Sequence, residues 1–113
     1  TAALREQAPR YLSMRPLPTA IVTFEPDWAA AILAVAGQLG LRCPDDFSLI
    51  TRVEETVSGR SVTSMLGDPE LMGRMAVKLL SERMQGLRRQ PVKLALPSRL
   101  VVGTTTGPVP RRS

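Results

Sequence analysis

Leu39-Gly40-Leu41-Arg42-Cys43-Pro44-Asp45-Asp46-Phe47-Ser48-Leu49-Ile50 is the stretch on which the fold turns. Gly40 stands where the end of a helix needs a left-handed residue, and Leu41 is placed to pack back on the last turn, as in a Schellman motif. Pro44-Asp45-Asp46 then makes a tight loop, and residues 47–50 read as a short buried strand. Upstream, Glu25-Pro26-Asp27 opens the helix that Gly40 closes, because Pro suits a first turn and acidic side chains favour the positive end of the helix dipole. Before that helix, Thr19-Ala20-Ile21-Val22-Thr23-Phe24 is a run of β-formers with apolar residues on both faces, which predicts a parallel strand covered on both sides. Strand, helix and strand joined by short loops make a βαβ unit with a right-handed crossover. Its strand ends, Phe24-Glu25 and Thr51-Arg52-Val53-Glu54, then share one edge of the sheet. Ligands of open α/β sheets bind at that edge.

The helix over 27–39 is apolar nearly all round. Trp28, Ile32, Val35 and Leu39 form one stripe, Ala29, Ala30, Leu33 and Ala36 fill other faces, and Gln38 is its one strongly polar interior residue. Such a helix must be covered all round. Two readings stand: a central helix of a three-layer domain, or a face taken by a second subunit or a missing part of the same chain.

Outward from this unit, residues 2–12 predict a short helix disturbed by Pro9. Residues 55–61 read as loop, and Val62-Thr63-Ser64-Met65 as a short strand. Asp68 as N-cap, Pro69 in the first position and Gly86 past the end mark a helix over 68–85. Its face of Leu71, Met75 and Leu79, with Met72 beside them, reads as core rather than as a methionine-rich groove. Gly73 implies close approach of another backbone. Two short strands, 92–96 and 99–102, and a loose tail over 104–113 complete the reading.

The composition narrows the function. The chain has 113 residues, 43% apolar and 22% charged, which is one domain of ordinary globular make-up. It has no histidine and a single cysteine, Cys43, so the commonest general base, the commonest metal ligand and any thiolate cluster for zinc are missing. The adjacent pairs Asp45-Asp46 and Glu54-Glu55 read as solvated charge rather than as acid–base machinery. No enzyme activity, metal or cofactor is expected. No apolar run approaches the roughly 20 residues of a membrane-spanning helix. Nothing ties Cys43 to an oxidising compartment, so the cytoplasm is the expected location. The net charge of +5 is uneven. Residues 1–85 hold nine basic and ten acidic side chains, whereas Arg88, Arg89, Lys93, Arg99, Arg111 and Arg112 come after them with no acid in between. No aromatic residue interleaves with that segment, so a base-stacking platform is not written there.

Five segments, in order, resemble the carboxyl-terminal part of the effector-binding domain of LacI/GalR-family transcriptional regulators. Residues 18–21 are similar to the start of that family's strand before the helix, and residues 39–50 to its "LGLRVPEDVSVVG" signature. Val62-Thr63-Ser64 stands in place of "LTT", residues 73–80 resemble "GRRAVELL", and residues 96–102 resemble "LPPRLVVR". The resemblance extends from about Pro18 to Pro108.

It implies an α/β, partial type I periplasmic-binding-protein-like (Rossmann-like) three-layer fold with a mostly parallel sheet. Residues 1–113 would then be a single partial effector-binding and dimerisation domain, without the DNA-binding headpiece. The helix 68–85 would lack its usual sheet, which calls for partner pairing, swapping or a shifted helix. The implied function is effector sensing in a bacterial transcription regulator. The expected partners are a second copy of the chain and a small-molecule effector, with operator DNA reached only through a helix-turn-helix upstream. The other reading is a solute-binding module of the same fold without DNA-binding function. Glu25, Arg52, Val53 and Glu54 fall on the effector-facing edge, and Trp28, Ala30 and Leu33 on the expected dimer interface. Where the family usually carries Asn-Asp, this chain has Glu25-Pro26, and Val53 has neither donor nor acceptor, so the effector need not be a sugar. Glu25 and Arg52 suit a zwitterionic or amine-bearing ligand, or form an ion pair with each other.

Overall fold

The computed structural model describes residues 2–111 and divides into two compact units. The first runs to Leu66 and resumes at Leu100. It begins with helix α1 (Ala2–Leu12, with Pro9 inside), strand β1 (Ala20–Thr23), helix α2 (Trp28–Gln38) and strand β2 (Ser48–Thr51). A hairpin comes next, β3 (Thr56–Val57) and β4 (Arg60–Ser61), and then β5 (Thr63–Leu66). The second unit, Gly67–Arg99, carries helix α3 (Pro69–Met84), and β6 spans Arg99–Val101. The main sheet has the order β1-β2-β5-β6. β1 and β2 are parallel with Ala20 opposite Ser48 and Thr23 opposite Thr51, and β2 is parallel to β5 with Ile50 opposite Thr63. The βαβ unit is thus present.

Helix α2 ends as its sequence dictates. Gly40 has φ 71°, the Leu41 N–H donates to the Ala36 carbonyl at 2.8 Å and the Gly40 N–H to that of Gly37 at 3.3 Å, which are the two bonds of a Schellman motif. Its start differs from expectation. Pro26 lies before the helix, Asp27 takes a left-handed φ of 71°, and no side chain caps the first turn.

Ala29, Ala31, Ile32, Val35 and Ala36 of α2 are buried. The second cover comes from within the chain: α1 packs on α2, with Ala8 and Leu12 completely buried in one core with Ile32, Phe47, Leu49 and Val62. Burying side chains of this size stabilises by about 1.5–3 kcal/mol each. Strand β1 is corrected in the other direction. It is parallel but sits at the sheet's edge, and Val22 and Phe24 are 57% and 63% exposed. Alternation buries Thr23 and half-buries Ile21, and leaves Ala20 and Val22 exposed.

Two further expectations change. Residues 55–61 are not plain loop but the β3–β4 hairpin, in which Thr56 pairs Ser61 around a Ser58-Gly59 turn with φ 50° and 78°. Both central residues being left-handed is what a two-residue hairpin requires. Nor is the chain loose from residue 104. Thr105 is completely buried: the Leu49 N–H donates to its carbonyl at 2.8 Å, its hydroxyl donates to the Leu49 carbonyl at 2.7 Å, and the Thr63 N–H donates to that hydroxyl oxygen at 2.9 Å. One threonine therefore makes a rung between β2 and the start of β5. Gly103 stands so close to the Ser61 carbonyl that a Cβ there would clash with backbone.

In the second unit α3 is as marked as expected. The Asp68 carboxylate accepts from the Leu71 N–H at 3.0 Å, Pro69 opens the helix, and Gly86 (φ 78°) closes a second Schellman motif in which the Leu87 N–H donates to the Glu82 carbonyl at 2.9 Å. Yet no residue of α3 is buried, and Met72, Val77, Leu80 and Met84 are largely exposed. The methionines are not core here, and no backbone approaches Gly73. Residues 92–96 form no strand. Arg88 pairs with Glu82, and its hydrogen bond holds the Glu82 carboxyl below the usual carboxylate range.

Candidate ligand-facing edge

Parallel pairing of β1 and β2 brings Phe24-Glu25 and Arg52-Val53-Glu54 to the same end of the sheet, and the pairing continues past the last ladder residues. The Arg52 N–H donates to the Thr23 carbonyl at 3.1 Å, and the Val53 N–H to the Thr51 hydroxyl at 3.4 Å. Phe24 and Arg52 thereby become neighbours. The Arg52 guanidinium carbon lies 5.7 Å from the centre of the Phe24 ring, a cation–π contact worth about 0.5–1 kcal/mol where it is exposed.

No ion pair joins Glu25 to Arg52, so the structural alternative for these two residues is not what the fold uses. Both are exposed, and Glu54 is exposed beside them, while Val53 is half-buried and offers only its backbone. A groove of about 420 Å³ runs along β1, lined among others by Tyr11, Val22, Phe24, Glu25, Trp28 and Ile32. Glu25 enters it; Arg52, Val53 and Glu54 do not line it. The rings of Tyr11 and Trp28 meet edge-on at its wall, 6.2 Å apart at 73°. The edge therefore offers a ligand an open aromatic face, a carboxylate and a guanidinium, the last two free of each other.

Of the residues expected at the dimer interface, Trp28, Ala30 and Leu33 are all half-buried on α2, and Trp28 and Leu33 pack against the core from its margin.

Sequence reasoning missed Glu55. Its Oε1 accepts the Asp27 N–H at 2.9 Å, joining the loop after β2 to the start of α2, while Oε2 is buried with no hydrogen-bond partner. Leaving such a group unsatisfied costs about 1–3 kcal/mol or more for a charged one. Adjacent acidic residues gave no sign that one of the pair turns inward. Arg60 was missed as well: its guanidinium donates to the Cys43 carbonyl at 2.6 Å and the Thr104 carbonyl at 3.0 Å, pinning the hairpin to two loops. Cys43 is half-buried, and burial pushes its thiol up, partly offset by the Arg60 charge. Among the described residues no group of three or more acidic or cysteine side chains is placed to hold a metal ion, and no helix is long and apolar enough to cross a membrane.

A parallel βαβ unit with Glu25, Arg52 and Glu54 just past the carboxyl ends of its strands defines the class: an open α/β lobe. The model of the periplasmic binding protein-like domain matches residues 1–106, and the chain belongs to that family. Among solved structures it is similar to a LacI family transcriptional regulator from Bifidobacterium animalis subsp. lactis DSM 10140, with 27% identity and a TM-score of 0.81 over 96% of this chain and 41% of that one. The transcriptional regulator CelR in complex with cellobiose is 30% identical, with a TM-score of 0.67 over 92% of this chain and 32% of that one. A LacI family transcriptional regulator from Arthrobacter sp. FB24, in complex with lactose, is 26% identical, with a TM-score of 0.68 over 93% and 41%. The chain thus spans less than half the length of these relatives. No curated protein sequence matches it. The resemblance read from the five segments is borne out, and these structural neighbours are transcription regulators, not enzymes.

Proposed function

We propose that this chain is the effector-sensing and dimerisation portion of a LacI/GalR-type bacterial transcription regulator that works in the cytoplasm. The full-length protein reaches operator DNA through a helix-turn-helix elsewhere in its chain. Effector binding shifts the balance between two arrangements of the sensor and so the spacing of distant DNA-binding heads. The family match and the regulators among the structural neighbours support this reading over a solute-binding module without DNA-binding function.

The effector meets the edge formed by Glu25, Arg52, Val53 and Glu54, and it is an ionised molecule: a zwitterion or an amine. One observation carries this choice, the absence of an ion pair between Glu25 and Arg52 while both stand exposed around Phe24. Unpaired charges of both signs leave a carboxylate for a ligand ammonium and a guanidinium for a ligand carboxylate. Cellobiose and lactose are bound in the complexes of two relatives, but Val53 gives a sugar hydroxyl no side-chain partner here. Trp28, Ala30 and Leu33 on α2 form the contact with a second copy.

Thermal unfolding of the full-length protein with L-arginine, L-glutamate or putrescine, beside cellobiose and lactose, tests the proposal. A ligand at a hundred times its dissociation constant stabilises by about 2.7 kcal/mol, a shift of several degrees. The expected result is a shift with an ionised compound that Glu25→Ala or Arg52→Ala removes. A shift with the disaccharides alone, unchanged in both variants, contradicts it.

A further inference from the structure

We infer that Glu55 is a positioning residue of the ligand-facing edge: it holds the 25–27 corner that presents Glu25 and starts α2. The inference rests on the proposed role of that edge, but its evidence is separate. Asp27 adopts φ 71° and ψ −12°, a left-handed conformation that aspartate tolerates better than most residues with a Cβ. Locally, Pro26 and the left-handed Asp27 form a turn and the Asp27 carbonyl accepts the Ala31 N–H at 3.0 Å, but the Asp27 side chain makes no capping bond. A further restraint comes from 28 residues away, because the N–H of Asp27 donates to Glu55 Oε1 at 2.9 Å.

Glu55 is itself held at the root of the β3–β4 hairpin, where its carbonyl accepts the Val62 N–H at 3.1 Å next to β5. Its second carboxylate oxygen is sealed from solvent without a partner. Glu25 and Glu54, by contrast, are exposed. A carboxylate turned inward at such expense for one backbone N–H sets the geometry of the corner rather than adding surface charge. The Glu55 side chain therefore ties the loop after β2 directly to the first turn of α2, beside the Arg52 contacts to Thr23 and Phe24.

Amide hydrogen exchange in the full-length protein tests this without any ligand, so its outcome is independent of whether the edge binds charged molecules. Losing the bond in Glu55→Ala should speed exchange at residues 27–31 about tenfold, the scale of one hydrogen bond, and shift the Glu25 amide resonance. Exchange at Leu49 and Thr63 should stay as in the parent. Glu55→Gln keeps a carbonyl oxygen for the Asp27 N–H and should restore parental exchange. Parental exchange at 27–31 in Glu55→Ala overturns the inference. So does acceleration spread equally over Leu49 and Thr63, which marks general stability, and so does a Gln variant as fast as the Ala variant.

Discussion

Helices α2 and α3 end in the same way and share little else. Each closes in a Schellman motif, on Gly40 at φ 71° and Gly86 at φ 78°. At the amino end α3 is the better built, with a side-chain cap and a proline at its start, whereas α2 has neither. Yet α2 buries five residues and α3 none. The signals that start and stop a helix are therefore local, while burial depends on the partners that the rest of the chain supplies. α2 receives α1 and the sheet; α3 shares with the segment after it a groove lined by Leu79, Leu80, Pro91 and Val92.

The largest effect that this contrast predicts is at Phe47. Phe47→Ala should cost about 3–5 kcal/mol in chemical denaturation, whereas Met84→Ala, on a side chain 79% exposed, should stay within about 0.5 kcal/mol. Equal losses would break the comparison. Thr105→Val comes next, at about 2–3 kcal/mol, because it keeps the shape but leaves the Thr63 N–H and the Leu49 carbonyl short of a partner in a buried place. The same assay reads it, and a neutral result would show that residues 104–107 do not brace the sheet. Asp68→Ala removes the cap of α3 and should cost about 1 kcal/mol of helix stability, visible as lost helical ellipticity on warming. The smallest effect is electrostatic. Because Arg88 lowers the Glu82 pKa, the support this pair gives is present at neutral pH and is lost as pH falls through that depressed value. In Arg88→Ala the Glu82 carboxyl should titrate higher, back toward ordinary carboxylates, in a carbon-detected titration; an unmoved titration would remove the pair from the account.

Much of the fold was legible because its signals are short-range. Gly40 with Leu41, Asp68 with Pro69, and Gly86 each announced a helix end that the structure keeps. The βαβ unit was legible in the apolar runs on either side of α2. Burial of β1 was not legible, since a strand with apolar residues on both faces looks the same in the middle of a sheet and at its edge. The helix that covers α2 was visible as a helix, but no local signal said where it packs. Thr105 was hidden for a related reason: a Thr-rich segment near Gly and Pro reads as loop, and its bonds to Leu49 and Thr63 span 56 and 42 residues. The shared sheet edge of Glu25 and Arg52 followed from the parallel topology, and the structure adds that Arg52 lies over the Phe24 ring while Glu25 lines the groove along β1. Glu55 was not, because its partner is a backbone N–H and backbone partners leave no mark in a sequence.

The most direct test of the sensor reading is fluorescence anisotropy of the full-length protein on its own promoter DNA, titrated with L-arginine, L-glutamate, putrescine, cellobiose and lactose. An ionised compound should change the anisotropy, and Arg52→Ala should abolish the response while leaving DNA binding in place. A response to a neutral disaccharide, equal in the parent and in Arg52→Ala, would contradict it.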